Sequence, residues 1–132
     1  ILSPNKVARQ RQVTSQFPQP GLPVDGYEIH QGRSRISRSL KDDPNEHQPI
    51  FDDAGLGLVD KSQSIWGCYL HGLFDNGAWR RSWINQLRKQ RGMSSLATGI
   101  SNYRDQREST LNILADIVEK NLDLKVILSN YY

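Results

Sequence analysis

Only one cysteine, Cys68, occurs in 132 residues, which excludes a disulfide within the chain and fits a cytoplasmic protein. Apolar residues are scarce as well: the hydrophobic fraction is 36%, below the usual level for a globular domain. No run approaches the roughly 18 apolar residues of a membrane span, and no stretch has the charged, apolar and small-residue succession of a signal peptide. The chain opens Ile1-Leu2-Ser3-Pro4 without an initiator methionine, which we read as a fragment or a processed product. The formal charge is a modest +3. Its arginines and lysines are scattered over several elements and interleaved with acids, and neither the aromatic-basic signature of an RNA-binding sheet nor a zinc-knuckle spacing is present. A solvated surface, and not a nucleic-acid interface, is the expectation. Internal repeats and low-complexity tracts are also absent.

What is there converges on Ser64 to Asn76, SIWGCYLHGLFDN. Ile65, Trp66, Tyr69 and Leu70 read as a buried strand. Gly72 breaks the run, and Asp75-Asn76-Gly77 reads as a turn leading into a helix. His71 therefore falls where a strand gives way to a loop, the position at which α/β folds present their chemistry. Strand alternation turns Cys68 away from His71, so the thiol reads as a small buried hydrophobe.

Earlier in the chain, residues 5 to 14 fit an edge strand, and the proline-rich Phe17 to Pro23 an ordered connection. Val24 to Ile36 reads as a second strand bracketed by Gly26 and Gly32, which mark a close backbone approach or a bend. On it, Glu28 and His30 share one face, Tyr27 and Ile29 the other. Glu28 and His30 carry two readings, a hydrogen-bonded pair that orients the strand or residues near an active site. Ser37 to Phe51 is loop-like, with a turn at Asp42-Asp43-Pro44-Asn45 and a solvent-facing His47; no ligand spacing for a metal accompanies that histidine. A short strand at Leu56 to Val59 connects through Asp60 to Gln63 into the central run. Trp79, Trp83, Ile84 and Leu87 then recur at helical spacing, with Asn76 as the N-cap and Gly92 as the stop. A second helix spans about Tyr103 to Glu119 or Lys120, with Leu111, Leu114, Ala115, Val118 and Leu122 as its apolar stripe, and Leu124 to Leu128 forms a short tail. Four strands followed by two helices would be α+β if the chain stood alone.

WGCYLHGLFDNGAWR, together with GYEIHQGRSR from Gly26 to Arg35, resembles the C-terminal part of the cobyric acid synthases, the glutamine-hydrolysing amidotransferases of cobalamin biosynthesis, where the pattern runs roughly G-T-Y-L-H-G-L-F-D-N after G-Y-E-I-H-x-G. The likeness continues through ILADIVEKNLDL and so covers nearly the whole chain. It implies an α/β fold in which residues 1–132 are the C-terminal half of a three-layer class I glutamine amidotransferase domain. The half bearing the nucleophilic cysteine, and a synthetase domain using ATP and magnesium, would lie elsewhere. It also implies that His71 is the glutaminase histidine, that glutamine and a corrinoid are the substrates, and that the carboxylates of adenosylcobyrinic acid a,c-diamide become the amides of cobyric acid. By itself the chain would be inactive, and it would hold no cofactor or metal.

Many class I amidotransferases carry H-x-E, whose glutamate orients the histidine; here that place is Leu73. Glu28, a backbone carbonyl or a water could orient His71 instead. Two alternative functions stand beside the first. One is a catalytically inactive amidotransferase-like assembly module; the other is a related a,c-diamide synthase or an amidotransferase acting on cell-wall precursors.

Overall fold

The computed structural model describes residues 2–32, 34 and 46–123. The expected turn at 42–45, the end of the second strand at Ile36 and the tail at 124–128 lie outside them. Strands precede helices, as expected, but the described residues hold six strands instead of four, in two antiparallel three-stranded sheets.

The first sheet has the order β1 (Leu2–Thr14), β2 (Pro23–Gly32), β6 (Leu70–His71), with β1 at its edge. The second has the order β3 (His47–Pro49), β4 (Gly57–Asp60), β5 (Trp66–Cys68). β3 is a correction to the loop reading. His47 pairs with Asp60 and is half-buried, because the ladder to β4 aims a segment that has no strand pattern of its own.

The single strand expected from Ile65 to His71 is two strands serving different sheets. Trp66–Cys68 pairs with Gly57–Val59, whereas Leu70 and His71 pair with Glu28 and Tyr27. Tyr69 lies at the crossing and donates its N–H to Leu56. Glycine makes both contacts possible. A Cβ on Gly57 would stand 2.7 Å from that of Cys68, and one on Gly26 would stand 2.7 Å from the carbonyl oxygen of His71. Ile65, expected to be buried, is 75% exposed.

The two sheets share one core. Val13, Val24 and Leu70 come from the first, Val59 from the second, and Phe17, Ile50, Phe51, Leu56 and Leu73 from the connections. The first helix, α1 (Gly77–Gln90), closes it with Trp79, which is fully buried and donates its indole N–H to the carbonyl of Phe17 at 2.8 Å. Burial of that ring stabilises the fold by about 3 kcal/mol. Trp66 packs edge-on against it, and Trp83 packs edge-on against Trp66.

The second helix, α2 (Tyr103–Asn121), forms where its periodicity places it, yet every residue on it is exposed, including Leu111 at 49% and Leu114 at 54%. An apolar stripe sets which side of a helix can be buried, and no described element covers this one. Among the described residues no helix is long and apolar enough to cross a membrane.

Candidate active site

The register of β2 against β6 decides which candidate residues meet. Tyr27 lies opposite His71, and Glu28 opposite Leu70. Directly opposed residues share a face, so His71 stands with Tyr27 on one side of the sheet while Glu28 and His30 stand with Leu70, Val13 and Val24 on the core side. The structure brings Glu28 and His30 together and separates both from His71.

Glu28 is buried, and its two oxygens are fully engaged. Oε2 accepts from Arg9 at 2.9 Å and from Arg11 at 3.0 Å; Oε1 accepts from Nε2 of His30 at 2.8 Å. Burial alone would raise its pKa, but the hydrogen bonds from His30 and Arg9 and the charges of Arg9 and Arg11 outweigh it and hold the carboxyl below the usual glutamate range. Arg11 also reaches Asp53, whose carboxyl is lowered by that bond and by the N–H of Gly55. Nδ1 of His30 lies 2.7 Å from the Gly32 carbonyl oxygen, and its ring stacks on Tyr69 with centroids 4.0 Å apart. Tyr69, in turn, accepts from the N–H of Ser34 at 2.7 Å. The sequence named Glu28 and His30 but gave no sign of the arginine partners of Glu28, which lie 19 and 17 residues away on another strand.

His71 is exposed, and among the described residues no hydrogen bond reaches its ring. It stands at an open cleft of about 1020 Å³ lined with polar side chains, among them Gln10, Gln12, Asp75, Asn102 and Arg104. An imidazole whose ring nitrogens are free and accessible has the geometry for general acid–base work. Its backbone is held on both sides. β2 pairs with it, and the next residue, Gly72, turns the chain in the left-handed region at φ 78° into a short 3₁₀ helix, Leu73–Asp75. Leu73, in the place of the missing glutamate, is buried in the core.

Asn76 departs from the sequence expectation. It occupies the N-cap position of α1, but its side chain makes no capping bond. The carboxamide reaches back to β2 instead. Oδ1 accepts from the N–H of Asp25 at 2.9 Å, and Nδ2 donates to the carbonyl of Asp25 at 2.8 Å. Nδ2 also faces the carbonyls of Gly72 at 3.2 Å and Leu73 at 3.0 Å. The cap of α1 comes from Asn102, whose Oδ1 accepts from the N–H of Gly77 at 2.8 Å. Gly77 is required there, since a Cβ would stand 2.3 Å from the carbonyl oxygen of Ile100.

Cys68 packs against the core, with Sγ 3.5 Å from the carbonyl oxygen of Leu70, and burial pushes its thiol pKa up. These are the surroundings of an inert cysteine, not of a nucleophile. Among the described residues no group of three or more His, Cys, Asp or Glu converges as metal ligands.

The last strand of the first sheet thus delivers an accessible histidine to an open cleft, ahead of a Gly-Leu-Phe-Asp-Asn turn. The chain belongs to the family of CobB/CobQ-like glutamine amidotransferase domains, which matches residues 1–79. Within that family the similarity is to cobyric acid synthases: 60% identity over 129 residues with that of Nostoc punctiforme, covering 98% of this chain and 26% of the relative. It is 59% over 128 residues with that of Trichormus variabilis, covering 97% and 26%. It is 54% over 135 residues with that of Crocosphaera subtropica, covering 98% and 26%. The chain thus spans about a quarter of the length of these relatives. No solved structure matches it.

Proposed function

We propose that this chain supplies the glutaminase histidine of a cobyric acid synthase, as the C-terminal half of its amidotransferase domain. The nucleophilic cysteine and an ATP- and magnesium-dependent synthetase would be carried by polypeptide beyond these residues. One observation carries the reading: His71, in the family's motif, is the histidine left accessible on the face of the first sheet turned away from the core, while the other histidine of that sheet is bonded through both nitrogens.

In this scheme His71 takes the proton from the cysteine thiol, and the thiolate attacks the side-chain amide carbon of glutamine. His71 then gives that proton to the departing amine as the C–N bond breaks, releasing ammonia and leaving a thioester. Water hydrolyses the thioester to glutamate and restores the thiol. The ammonia would capture corrinoid carboxylates activated by ATP. Cys68 takes no part, so residues 1–132 by themselves would not hydrolyse glutamine.

In the full-length enzyme, His71→Ala should lower glutamine-dependent amidation by about a thousandfold and leave amidation with free ammonia at the wild-type rate. Equal loss with both nitrogen donors would remove the role assigned to His71.

A further inference from the structure

We infer that Asn76 is the positioning residue for His71, doing through the backbone what the glutamate of H-x-E does through the imidazole. The inference rests on the reading of His71 given above. With Leu73 committed to the core, no carboxylate two residues on can reach the ring.

What fixes His71 is the course of its main chain. β6 contributes only two residues to the sheet, Leu70 opposite Glu28 and His71 opposite Tyr27, before Gly72 turns the chain away. Asp25, two residues along β2 from Tyr27, presents its N–H and C=O beyond the end of β6. The carboxamide of Asn76 meets that pair as a further peptide group of β6 would, accepting from the N–H and donating to the carbonyl. The same nitrogen faces the carbonyls of Gly72 and Leu73. One buried side chain therefore ties the turn that follows His71 to the strand that precedes it in the sheet. The partners are 51 residues apart, so the clamp fixes the loop against β2 and not merely against itself. Fully satisfied buried polar groups of this kind rigidify what they join.

The test uses the full-length enzyme and three variants. Asn76→Asp keeps the shape and the acceptor for the Asp25 N–H but sets an oxygen against three carbonyl oxygens. Gly72→Ala keeps every bond of Asn76 and strains the same turn through its positive φ. His71→Ala is the reference. Misplacing a catalytic group by about 1 Å costs on the order of a hundredfold. We therefore expect Asn76→Asp to lower the glutamine-dependent kcat by about 10- to 100-fold, with KM for glutamine and the ammonia-dependent rate unchanged. Gly72→Ala should shift kcat in the same direction.

Wild-type glutamine kcat in Asn76→Asp, with His71→Ala inactive, would overturn the inference alone. If Asn76→Asp instead loses both activities through misfolding, Gly72→Ala decides: a wild-type kcat there overturns the inference, and a selective loss supports it. Retained glutamine-dependent turnover in His71→Ala would overturn the reading of His71 itself, and this inference with it.

Discussion

His30 and His71 stand on opposite faces of one three-stranded sheet and have had opposite fates. The side chain of His30 is 14% exposed, both ring nitrogens face acceptors and the ring lies on Tyr69. His71 is exposed and, among the described residues, its ring is bonded to nothing. A proton shuttle needs a free nitrogen and a route to it; a structural imidazole needs neither. The register of β2 against β6 makes this division, because a slip by one residue would exchange the two faces.

The strongest way to break the comparison is at Glu28, which organises the core-side network. Glu28→Gln removes the charge that Arg9, Arg11 and His30 share. Arg9 is 59% exposed and loses little. Arg11, at 16% exposure, would keep Asp53 as its counter-charge but face an amide where a carboxylate stood. Stability should fall by about 2 kcal/mol in urea denaturation, the range for a buried hydrogen-bonding group left without its charged partner. In the full-length enzyme, glutamine kcat of the protein that remains folded should be unchanged. A drop in kcat at unchanged stability would mean that Glu28 acts through the sheet on His71.

Acid should reproduce part of that loss without mutation. The carboxyls of Glu28 and Asp53 are held below their ordinary values in the folded state. The unfolded chain therefore takes up their protons first as pH falls. Their contribution is complete above the ordinary carboxylate range, near pH 4 to 4.5, and is lost as pH drops through the folded values. The slope of stability against pH below that range should flatten in Glu28→Gln. An unchanged slope would show that Glu28 is not held as the geometry requires.

Much of this was legible in the sequence, and the parts that were not share a cause. The turn after His71, the place of that residue at a strand end and both helices follow from local pattern, since Gly72, Asp75 and the spacing of Trp79 and Trp83 act within a few residues. The split of Ile65 to His71 between two sheets was hidden, because pairing with β4 and with β2 is a long-range choice that one apolar run fits equally well. β3 was missed because His47–Pro49 is ordered by its partner strand. Asn76 has the composition of an N-cap and sits at the N-cap position, yet its bonds run to Asp25. Gly26 and Gly32 mark in the sequence a close backbone approach or a bend, and at Gly26 the approach is that of β6.

The finest test of the division between faces is the hydroxyl of Tyr69. Among the described residues it bonds to Ser34, accepting from its N–H and sharing a bond of 2.6 Å with its Oγ, while the ring does the stacking on His30. Tyr69→Phe deletes the first contact and spares the second. Ser34 is exposed, so water can replace the lost partner, and the cost should be about 0.5 kcal/mol. Because Tyr69 leans on the core-side histidine although it lies only two residues before His71, the variant should retain the full glutamine kcat in the full-length enzyme. A tenfold loss of kcat at this small cost in stability would show that the crossing at Tyr69 transmits to His71, and the two faces of the sheet would have to be treated as one site.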